Sequence, residues 1–535
     1  MLSYSRGHDA PLIEASIWEV FARTAARFPD NEALVVRHQG VRLTFSELAA
    51  AVEGVARGLV RLGLGAQDRI GVWSTNCAEW VLLHLACARI GAVLVNVNPA
   101  YRSYDLAFVL RKSGMKALFL WEKDRRSDYR AIVHEAIAGQ TLALDHIVYF
   151  GTEGWAKMLA ESGEIPSARI SADDVTNIQY TSGTTGSPKG VLLTHRNVIN
   201  NAHILAEGMR ITEKDRIAVP VPLYHCFGCV IGTLVSVVSG ATMILPAATF
   251  DALTTLQAIH EERATVVYGV PTMFIAELEH PDFGNFDCSS LRTGIMAGAP
   301  CPVAIMKRVV REMHCQGMIV GYGQTESSPI ITMSAVDDSV ERRMGTVGQA
   351  CPNTEVKIVS PSGDTVPVGE SGELCTRGYL VMKGYDQEPE ATRRAIDEDG
   401  WLHTGDLATM DIEECFRITG RAKDMIIRAG ENVYPREVEE FLHMHPKVAE
   451  VQVVGIPDAR LGEAVAAWIR LKAPAEEEEI REFCRGRIAH FKVPQYIRFV
   501  DAFPMTVTGK VQKFRIREIE IEDRGLEDAA RIRTA

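Results

Sequence analysis

One segment of the sequence combines glycines, hydroxyl side chains and a lysine, and it reads Tyr180-Thr181-Ser182-Gly183-Thr184-Thr185-Gly186-Ser187-Pro188-Lys189-Gly190. Glycines let backbone N–H groups turn towards an anion, hydroxyls add donors, and Lys189 adds a positive charge. The spacing of Gly183, Gly186 and Lys189 differs from the Walker A pattern, in which four residues separate the first glycine from Gly-Lys. The segment therefore predicts a phosphate-binding loop of another type. A solvated Ser/Gly/Thr hairpin is the alternative.

The residues after this loop also differ from those of a Walker-type nucleotide site. Val191-Leu192-Leu193 predicts a short strand, and a helix is expected to begin only at Thr194. No helix N-terminus is therefore expected beneath the phosphates. A kinase or ATPase that yields ADP would have been expected to carry the Walker spacing.

Size and composition restrict the class of protein. A chain of 535 residues exceeds the roughly 250–300 residues at which a single core stops growing, so at least two domains are expected. A hydrophobic content of 47% with 24% charged residues is ordinary for a soluble globular protein. The net charge of −12 argues against nucleic acid as the main partner. The 11 scattered cysteines predict a reduced, cytoplasmic setting.

The most apolar stretch, residues 228–244, contains internal glycines and is short for a membrane span. It predicts a buried helix and strand, so no transmembrane segment is expected. The first residues, Met1-Leu2-Ser3-Tyr4, lead into polar sequence, and we expect no secretory signal. The sequence leaves the oligomeric state open, a homodimer included.

Helix and strand patterns alternate through the first part of the chain. Thr44-Phe45-Ser46-Glu47 predicts a capping box, and strands are expected at 70–73 and 93–97 with a helix at 80–90 between them. Such alternation predicts parallel sheets with helical crossovers. Beyond residue 340, short runs at 355–359 and 372–376 with Gly/Pro turns predict a barrel-like β region.

A smaller α+β unit is expected after Gly420-Arg421. Its pattern predicts a helix from Pro435, strands near 451–456 and 464–471, and a charged helix beginning near Glu476. We therefore expect a large domain over residues 1–421 and a small one over residues 422–535, joined by a short hinge.

Five segments occur in a fixed order along nearly the whole chain. They are Tyr180–Gly190, Gly321-Tyr322-Gly323-Gln324-Thr325-Glu326, Trp401-Leu402-His403-Thr404-Gly405-Asp406, Gly420-Arg421-Ala422-Lys423-Asp424 and Thr508-Gly509-Lys510. Together they resemble the adenylate-forming superfamily of acyl- and aryl-CoA synthetases, peptide-synthetase adenylation domains and luciferases. The resemblance implies an α/β fold: a large N-terminal domain of doubly wound sheets with a β-barrel-like subdomain, and a small mobile α+β C-terminal domain.

The resemblance implies a ligase that works in two steps. A carboxylate attacks the α-phosphate of ATP and releases pyrophosphate, and a thiol then attacks the acyl carbon of the acyl-adenylate while AMP departs. ATP, Mg²⁺ and coenzyme A are the implied cofactors. Glu326 is implied as the Mg²⁺ ligand, since Mg²⁺ prefers carboxylate oxygen.

The family pattern also implies roles for individual residues. The implied catalytic residues are Lys510, Thr325, Glu326 and His225. The residues implied to bind the nucleotide are Thr181, Ser182, Gly183, Thr184, Thr185, Lys189, Gly298, Ala299, Pro300, Tyr322, Gly323, Thr325, Asp406 and Arg421. Lys423 matches the hinge of the small domain, and Ala429, Gly430 and Glu431 match the loop that lines the CoA tunnel. Many relatives have glycine where this chain has Ala429.

The acyl pocket is implied by a further set of matches: His225, Cys226, Phe227, Gly228, Val270, Pro271, Met296, Ala297 and Ile330. The set contains no Arg or Lys for a second carboxylate and no acidic residue for an α-amine. His225 is either a shield of the carboxylate site or a core histidine. Pro222–Gly228, Tyr268–Phe274 and Val95–Arg102 look most like the medium-chain fatty acyl-CoA synthetase branch.

We therefore expect a ligase for a medium-chain acid, branched or alicyclic acids included. A ligase that loads a carrier protein, a ligase for aryl or other carboxylates, and a non-catalytic binding protein on the same fold are the alternatives. The sequence does not distinguish free CoA from a carrier protein, because the attacking thiol is chemically the same.

Overall fold

The computed structural model describes residues 1–124, 127–166, 169–181, 188–299, 301, 303–421, 424–428, 431–458, 460–485, 487–505 and 511–526. The chain divides into two compact units. The larger unit comprises Ser5–Val356 and Thr376–Leu402. The smaller unit comprises Met1–Tyr4, Lys357–Cys375 and His403–Ala535.

Strands and helices alternate along the described residues. In chain order the strands are β1 (Tyr4–Arg6), β2 (Glu32–Val36), β3 (Val41–Thr44), β4 (Arg69–Trp73), β5 (Val93–Val97), β6 (Ala117–Leu120), β7 (His146–Tyr149), β8 (Val175–Thr181), β9 (Lys189–Thr194), β10 (Arg216–Ala218), β11 (Thr242–Leu245), β12 (Val266–Gly269), β13 (Thr293–Ala297), β14 (Gly317–Gly323), β15 (Ile330–Met333), β16 (Gln349–Ala350), β17 (Thr354–Val359), β18 (Gly372–Gly378), β19 (Gly384–Tyr385), β20 (Leu402–Met410), β21 (Phe416–Arg421), β22 (Ile426–Arg428), β23 (Glu431–Val433), β24 (Val448–Asp458), β25 (Gly462–Leu471) and β26 (Tyr496–Phe499). The α-helices are α1 (Ile17–Arg27), α2 (Phe45–Arg61), α3 (Ala78–Ile90), α4 (Ser103–Ser113), α5 (Tyr129–Ile137), α6 (Glu153–Leu159), α7 (His195–Gly208), α8 (Val235–Ser239), α9 (Ala252–Glu261), α10 (Pro271–Leu278), α11 (Val303–Glu312), α12 (Val340–Gly345), α13 (Pro389–Ala395), α14 (Pro435–Leu442), α15 (Glu477–Cys484) and α16 (Lys513–Arg524).

Two mixed sheets form the larger unit. The nine-stranded sheet has the order β16-β15-β14-β13-β12-β10-β11-β2-β3, and the seven-stranded sheet has the order β19-β9-β8-β5-β4-β6-β7. Strands β14, β13, β12, β10, β11 and β2 are parallel, as are β8, β5, β4, β6 and β7. Antiparallel strands are added at the edges. The predicted α/β class with parallel sheets is confirmed.

Local sequence signals account for several of these elements. Thr44 and Glu47 form the predicted capping box at the start of α2, because each side chain accepts a hydrogen bond from the other residue's backbone N–H. Thr194 caps α7 in the same way, with Asn197 as its partner, so the helix begins where the sequence predicts. The predicted strand at 191–193 lies within β9.

The apolar stretch after residue 226 contains an element that the sequence did not predict. Residues Phe227–Leu234 form a buried π-helix, followed by the mostly buried α8 and the buried β11. Close packing explains Gly228, because a Cβ there would lie 2.1 Å from the carbonyl oxygen of Pro222. No helix within the described parts of the chain is long and apolar enough to cross a membrane.

The smaller unit carries the predicted β region and α+β region. A five-stranded sheet with the order β1-β17-β18-β20-β21 lies mostly in this unit. The C-terminal part has a second sheet of order β23-β22-β25-β24, with β26 pairing in parallel with β25. Its apolar face buries residues from β22, α14, β24, β25 and α15, among them Ile426, Leu442, Val453, Ile469 and Ile480. The predicted helices at Pro435 and near Glu476 are confirmed.

A buried amide joins α7 to β15 in the larger unit. The Asn201 Nδ2 group donates to the Ile330 carbonyl at 2.9 Å, and the Ile330 N–H donates to Asn201 Oδ1 at 3.1 Å. Both residues are buried, so water cannot replace either bond. Asn201 therefore fixes the start of β15, where Ile330 was predicted to line the acyl pocket.

Replacing Asn201 with alanine is expected to destabilise the protein by about 2–4 kcal/mol, since two buried backbone groups lose their partners. Urea unfolding monitored by tryptophan fluorescence measures this change. Asn285→Ala is the matched control, because Asn285 is exposed and its Nδ2 lies 3.4 Å from the Asp282 carboxylate. Equal unfolding midpoints for the two variants would contradict this role of Asn201.

Candidate active site

Four neighbouring parallel strands end beside one another in the nine-stranded sheet. They are β10, β12, β13 and β14, adjacent in the sheet and in register along their length. Their carboxyl ends lead into 219–228, Val270-Pro271, Gly298-Ala299 and the 321–326 segment. Ligands of open α/β sheets bind outside the carboxyl ends of parallel strands. The predicted acyl-pocket and adenine segments are therefore brought to one edge of one sheet.

The predicted acyl-pocket residues form an apolar, mostly buried group. Cys226, Phe227, Gly228, Val270, Pro271, Met296, Ala297 and Ile330 are buried, and His225 is half-buried. The Phe227 ring stacks on Tyr268 with centroids 6.2 Å apart. Strand pairing sets Met296 beside Gly269 and Ala297 beside Gly321. The arrangement suits a hydrocarbon chain, since none of these side chains except His225 can carry a positive charge.

Within the predicted pocket, Cys226 is the residue that contacts the 321–326 segment. The Phe227 N–H donates to His225 Nδ1 at 3.2 Å, so a neutral His225 carries its proton on Nε2. The Cys226 thiol lies 3.5 Å from His225 Nδ1 and 3.6 Å from the Thr325 hydroxyl. The residues that were predicted to face the acyl group and the α-phosphate are thus in contact through Cys226.

The 321–326 segment turns sharply where β14 ends. Gly323 is the last residue of β14, and a Cβ there would lie 1.8 Å from the Pro329 carbonyl oxygen. The Gln324 N–H donates to the Ser327 hydroxyl, and a 3-10 turn spans Thr325–Ser327. Thr325 is buried and Glu326 half-buried. The close approach at Gly323 therefore fixes where Thr325 and Glu326 emerge from the sheet.

The ends of the predicted phosphate loop are held by an antiparallel hairpin. Strands β8 and β9 pair up to Thr181 and Lys189, which lie opposite each other. The Lys189 ammonium lies 4.8 Å from the centroid of the Tyr385 ring. The Tyr385 hydroxyl donates to Glu326 Oε1 at 2.9 Å. Tyr385 therefore contacts both the predicted phosphate-binding lysine and the predicted Mg²⁺ ligand.

Buried side-chain amides on β5 and β8 are joined by a row of hydrogen bonds. Gln179 Nε2 donates to Asn177 Oδ1 at 2.7 Å, and Asn177 Nδ2 donates to Asn96 Oδ1 at 3.0 Å. Asn96 Nδ2 donates to the Tyr224 carbonyl at 3.1 Å, and Gln179 also contacts the Cys229 sulfur at 3.0 Å. Burial raises the pKa of the Cys229 thiol well above its usual value. The row joins β5 and β8 to the π-helix of the acyl pocket.

In the smaller unit, the two predicted ribose-binding residues lie opposite each other. Asp406 on β20 pairs with Arg421 on β21, and Arg421 Nε lies 3.0 Å from Asp406 Oδ1. Asp406 is buried, whereas Arg421 is exposed. The ion pair orients the Asp406 carboxylate.

Glu373 holds the loop before Asp406. Its carboxylate accepts a hydrogen bond from the Gly405 N–H at 2.9 Å through Oε1, and one from His403 Nδ1 at 2.9 Å through Oε2. The Thr404 hydroxyl donates to the Leu374 carbonyl at 2.7 Å. Among the described residues, Glu373, Cys375 and His403 could also share one metal ion. The hydrogen bonds of His403 with Glu373 and Cys375 are sufficient to explain why the three side chains lie together without a metal ion.

Several predicted site residues lie outside the described residues. They are Ser182, Gly183, Thr184, Thr185, Pro300, Lys423, Ala429, Gly430 and Lys510, and also the side chain of Glu431.

Sequence reasoning missed Glu373 and Tyr385. Neither side chain lies in a glycine- and hydroxyl-rich loop, and each contacts predicted site residues or the loop beside them. In the sequence, Glu373 lies within a predicted strand and Tyr385 lies between Gly384 and Asp386. Neither position belongs to one of the five family segments. Pairing of β19 with β9 brings Tyr385 to the hairpin, and this pairing is long-range.

Comparisons with known proteins show the family of the chain. Residues 21–386 match the model of the AMP-binding enzyme family, and residues 437–510 match that of the AMP-binding enzyme C-terminal domain. The chain belongs to the AMP-binding enzyme family. The predicted membership of the adenylate-forming superfamily is thereby confirmed.

Similar proteins cover almost the whole of this AMP-binding enzyme. YngI of Bacillus subtilis (strain 168) is named as an acyl-CoA synthetase. It is 47% identical to this protein, and the alignment covers 96% of this chain and 98% of YngI. The mitochondrial medium-chain acyl-CoA ligase ACSF2 of Homo sapiens is 42% identical over 97% of this chain and 89% of its own. The crystal structure of ATP-bound MatB from Rhodopseudomonas palustris is similar with a TM-score of 0.84 and 30% identity, covering 95% of this chain and 100% of MatB.

Glu373→Ala in this AMP-binding enzyme is expected to raise the KM for ATP about tenfold, with a smaller effect on kcat. Two hydrogen bonds to a charged group are lost, and the loop before Asp406 loses its anchor. Steady-state kinetics with ATP as the varied substrate measures the change. Glu370→Ala is the control, because Glu370 is exposed in the turn before β18. An unchanged KM for ATP in Glu373→Ala would contradict the anchoring role.

Proposed function

We propose that this AMP-binding enzyme is an ATP-dependent carboxylic acid–CoA ligase that forms an acyl-adenylate and then an acyl-CoA. One observation carries the proposal. The carboxyl ends of four neighbouring strands gather an apolar pocket and the nucleotide segments, and Cys226 links the two through a 3.6 Å contact with Thr325. An enzyme that joins a fatty acid to AMP needs an apolar site and a phosphate site side by side. The names of the similar proteins support the same chemistry.

We assign a medium-chain acid as the substrate, branched and alicyclic acids included. The predicted pocket is apolar and buried, which favours a hydrocarbon chain. The pocket contains no acidic side chain for an α-ammonium and no Arg or Lys for a second carboxylate, and leaving such a charge buried and unpaired is costly. The name of ACSF2, which is 42% identical, supports the medium-chain range.

The first step joins two anions, so its barrier is largely electrostatic. The carboxylate approaches an α-phosphate whose charge rises as pyrophosphate leaves, and preplaced cations and donors lower that barrier. Lys189 serves the β- and γ-phosphates together with Thr181, Ser182, Thr184 and Thr185. Thr325 contacts the α-phosphate, and Lys510 bridges the carboxylate and the phosphate.

Glu326 suits a hard divalent cation. It offers carboxylate oxygen, the ligand type that Mg²⁺ prefers, and it is half-buried beside the phosphate hairpin. Only Oε1 accepts the hydrogen bond from Tyr385, so Oε2 can coordinate the ion. When bound, Mg²⁺ would neutralise charge on the phosphates.

The second step brings the thiol of CoA to the acyl carbon. By resemblance, the small domain over residues 422–535 rotates about Lys423, withdraws Lys510 and inserts the loop of Ala429, Gly430 and Glu431. Gly430 then lines the pantetheine tunnel, where a side chain would obstruct the thiol. His225, half-buried beside Cys226, shields the carboxylate site from water. We assign the enzyme to the cytoplasm, a reducing compartment that suits cysteines held as thiols.

A panel of acids tests the proposed substrate and acceptor. ATP- and CoA-dependent AMP release is measured from acetate to palmitate, with benzoate and branched acids included. We expect the highest kcat/KM at medium chain length, since each buried CH₂ contributes about 0.8 kcal/mol until the pocket is filled. Pyrophosphate release without CoA consumption would instead indicate a carrier-protein ligase. A maximum at benzoate would contradict the aliphatic substrate.

Lys510→Ala is expected to reduce acyl-adenylate formation by about 10²–10³-fold, because a preplaced positive charge is lost from the transition state. The same variant should convert supplied acyl-AMP and CoA to acyl-CoA at the normal rate. The two half-reactions are measured separately, by ATP–pyrophosphate exchange and by thioester formation. Arg515→Ala is the control, since Arg515 pairs with Glu518 on the exposed side of α16. Equal loss in both half-reactions would contradict the assigned role of Lys510.

A further inference from the structure

Tyr385 contacts two groups of opposite charge in the larger unit. Its ring lies beneath the Lys189 ammonium at 4.8 Å, a distance at which cation–π attraction operates. Its hydroxyl donates to Glu326 Oε1 at 2.9 Å. We infer that Tyr385 is a positioning residue that holds Lys189 and Glu326 apart, so that each charge stays available to ATP and its cation. This inference rests on the proposed function of the site.

Separation of the two charges is the first part of the argument. Within the described residues no ion pair joins Lys189 to Glu326, although both contact the same tyrosine. The ammonium lies over the face of the ring, and the carboxylate lies at its hydroxyl edge. A direct ion pair would let each charge neutralise the other. The ring gives each a favourable partner without cancelling its charge.

The backbone on both sides of Tyr385 is fixed, so the ring has a defined position. Tyr385 pairs with Val191 of β9, two residues from Lys189. Its N–H donates to the Thr392 hydroxyl at 2.9 Å, and the Asp386 N–H donates to the Gly190 carbonyl at 2.7 Å.

The side chain of Asp386 adds a further anchor. The Asp386 carboxylate binds the Arg69 guanidinium through two hydrogen bonds of 2.8 and 2.9 Å, and Asp386 is buried. A bidentate charged pair of this kind is geometrically specific. Tyr385 is therefore anchored to β9, to α13 and to β4.

The hydroxyl of Tyr385 acts as the donor in its contact with Glu326, because a carboxylate oxygen can only accept a hydrogen bond. The hydrogen bond restricts the rotation of the carboxylate, and Oε2 would then be the oxygen that binds a cation.

The test separates the two contacts of Tyr385. Tyr385→Phe keeps the ring and removes the hydroxyl, whereas Tyr385→Leu removes both. ATP–pyrophosphate exchange is measured with a medium-chain acid while Mg²⁺ and ATP are varied independently, and the binding of Mg²⁺–ATP to each variant is measured by isothermal titration calorimetry. We expect Tyr385→Phe to raise the Mg²⁺ concentration for half-maximal rate about tenfold, the scale of one hydrogen bond to a charged group, with little change in the KM for ATP. Tyr385→Leu should raise both.

Tyr129→Phe is the matched control, because the Tyr129 hydroxyl also donates to a carboxylate, that of Asp124, at 2.8 Å. It should leave the Mg²⁺ dependence unchanged. The inference is overturned if Tyr385→Phe has the wild-type Mg²⁺ dependence. It is also overturned if kcat and both concentration dependences change in proportion to a lowered Tm, as for a purely structural residue.

The experiment also distinguishes this inference from the proposed function. If the wild-type enzyme catalyses no exchange with any acid, the proposed function fails. If the wild type exchanges normally and the Tyr385 variants behave as the control does, only the positioning role fails.

Discussion

The ion pair between the half-buried Arg69 and the buried Asp386 is the contact on which the predicted phosphate side of the site depends. Arg69 lies on β4, inside the seven-stranded sheet, and Asp386 follows the short edge strand β19. Removing Arg69 would leave the buried Asp386 carboxylate without its charged partner, which is destabilising. A two-residue edge strand has few ladder hydrogen bonds of its own. The ion pair therefore keeps β19 against β9, and with it Tyr385, Lys189 and Glu326.

The proposed chemistry requires opposite charges that lie close together without pairing with each other. Adenylate formation needs positive charge at the phosphates and a carboxylate for the cation, within a few ångströms and without mutual neutralisation. A protein can achieve this only by giving each charge a fixed partner beforehand. The Tyr385 ring contacts Lys189 and its hydroxyl donates to Glu326. The apolar pocket needs no such partners, which is why its residues are packed as an ordinary core.

The sequence was sufficient for the α/β class, for the capped helices and for the family, because these depend on local patterns and on motifs in a fixed order. It was not sufficient for the π-helix at Phe227–Leu234, since a buried, uniformly apolar segment has no periodic pattern to distinguish one helix type from another. Tyr385 and Glu373 were missed for a different reason. Their roles come from strand pairing between segments far apart in the chain, and no local pattern encodes that pairing.

Transfer of oxygen from the acid to AMP tests the central claim most directly. The enzyme is incubated with ATP, Mg²⁺, CoA and octanoate labelled with oxygen-18 in its carboxylate, and the products are analysed by mass spectrometry. Attack of the carboxylate on the α-phosphate, followed by thiol attack on the acyl carbon, leaves one labelled oxygen on AMP. The account predicts singly labelled AMP with unlabelled pyrophosphate. Unlabelled AMP, or ADP with labelled phosphate, would contradict it.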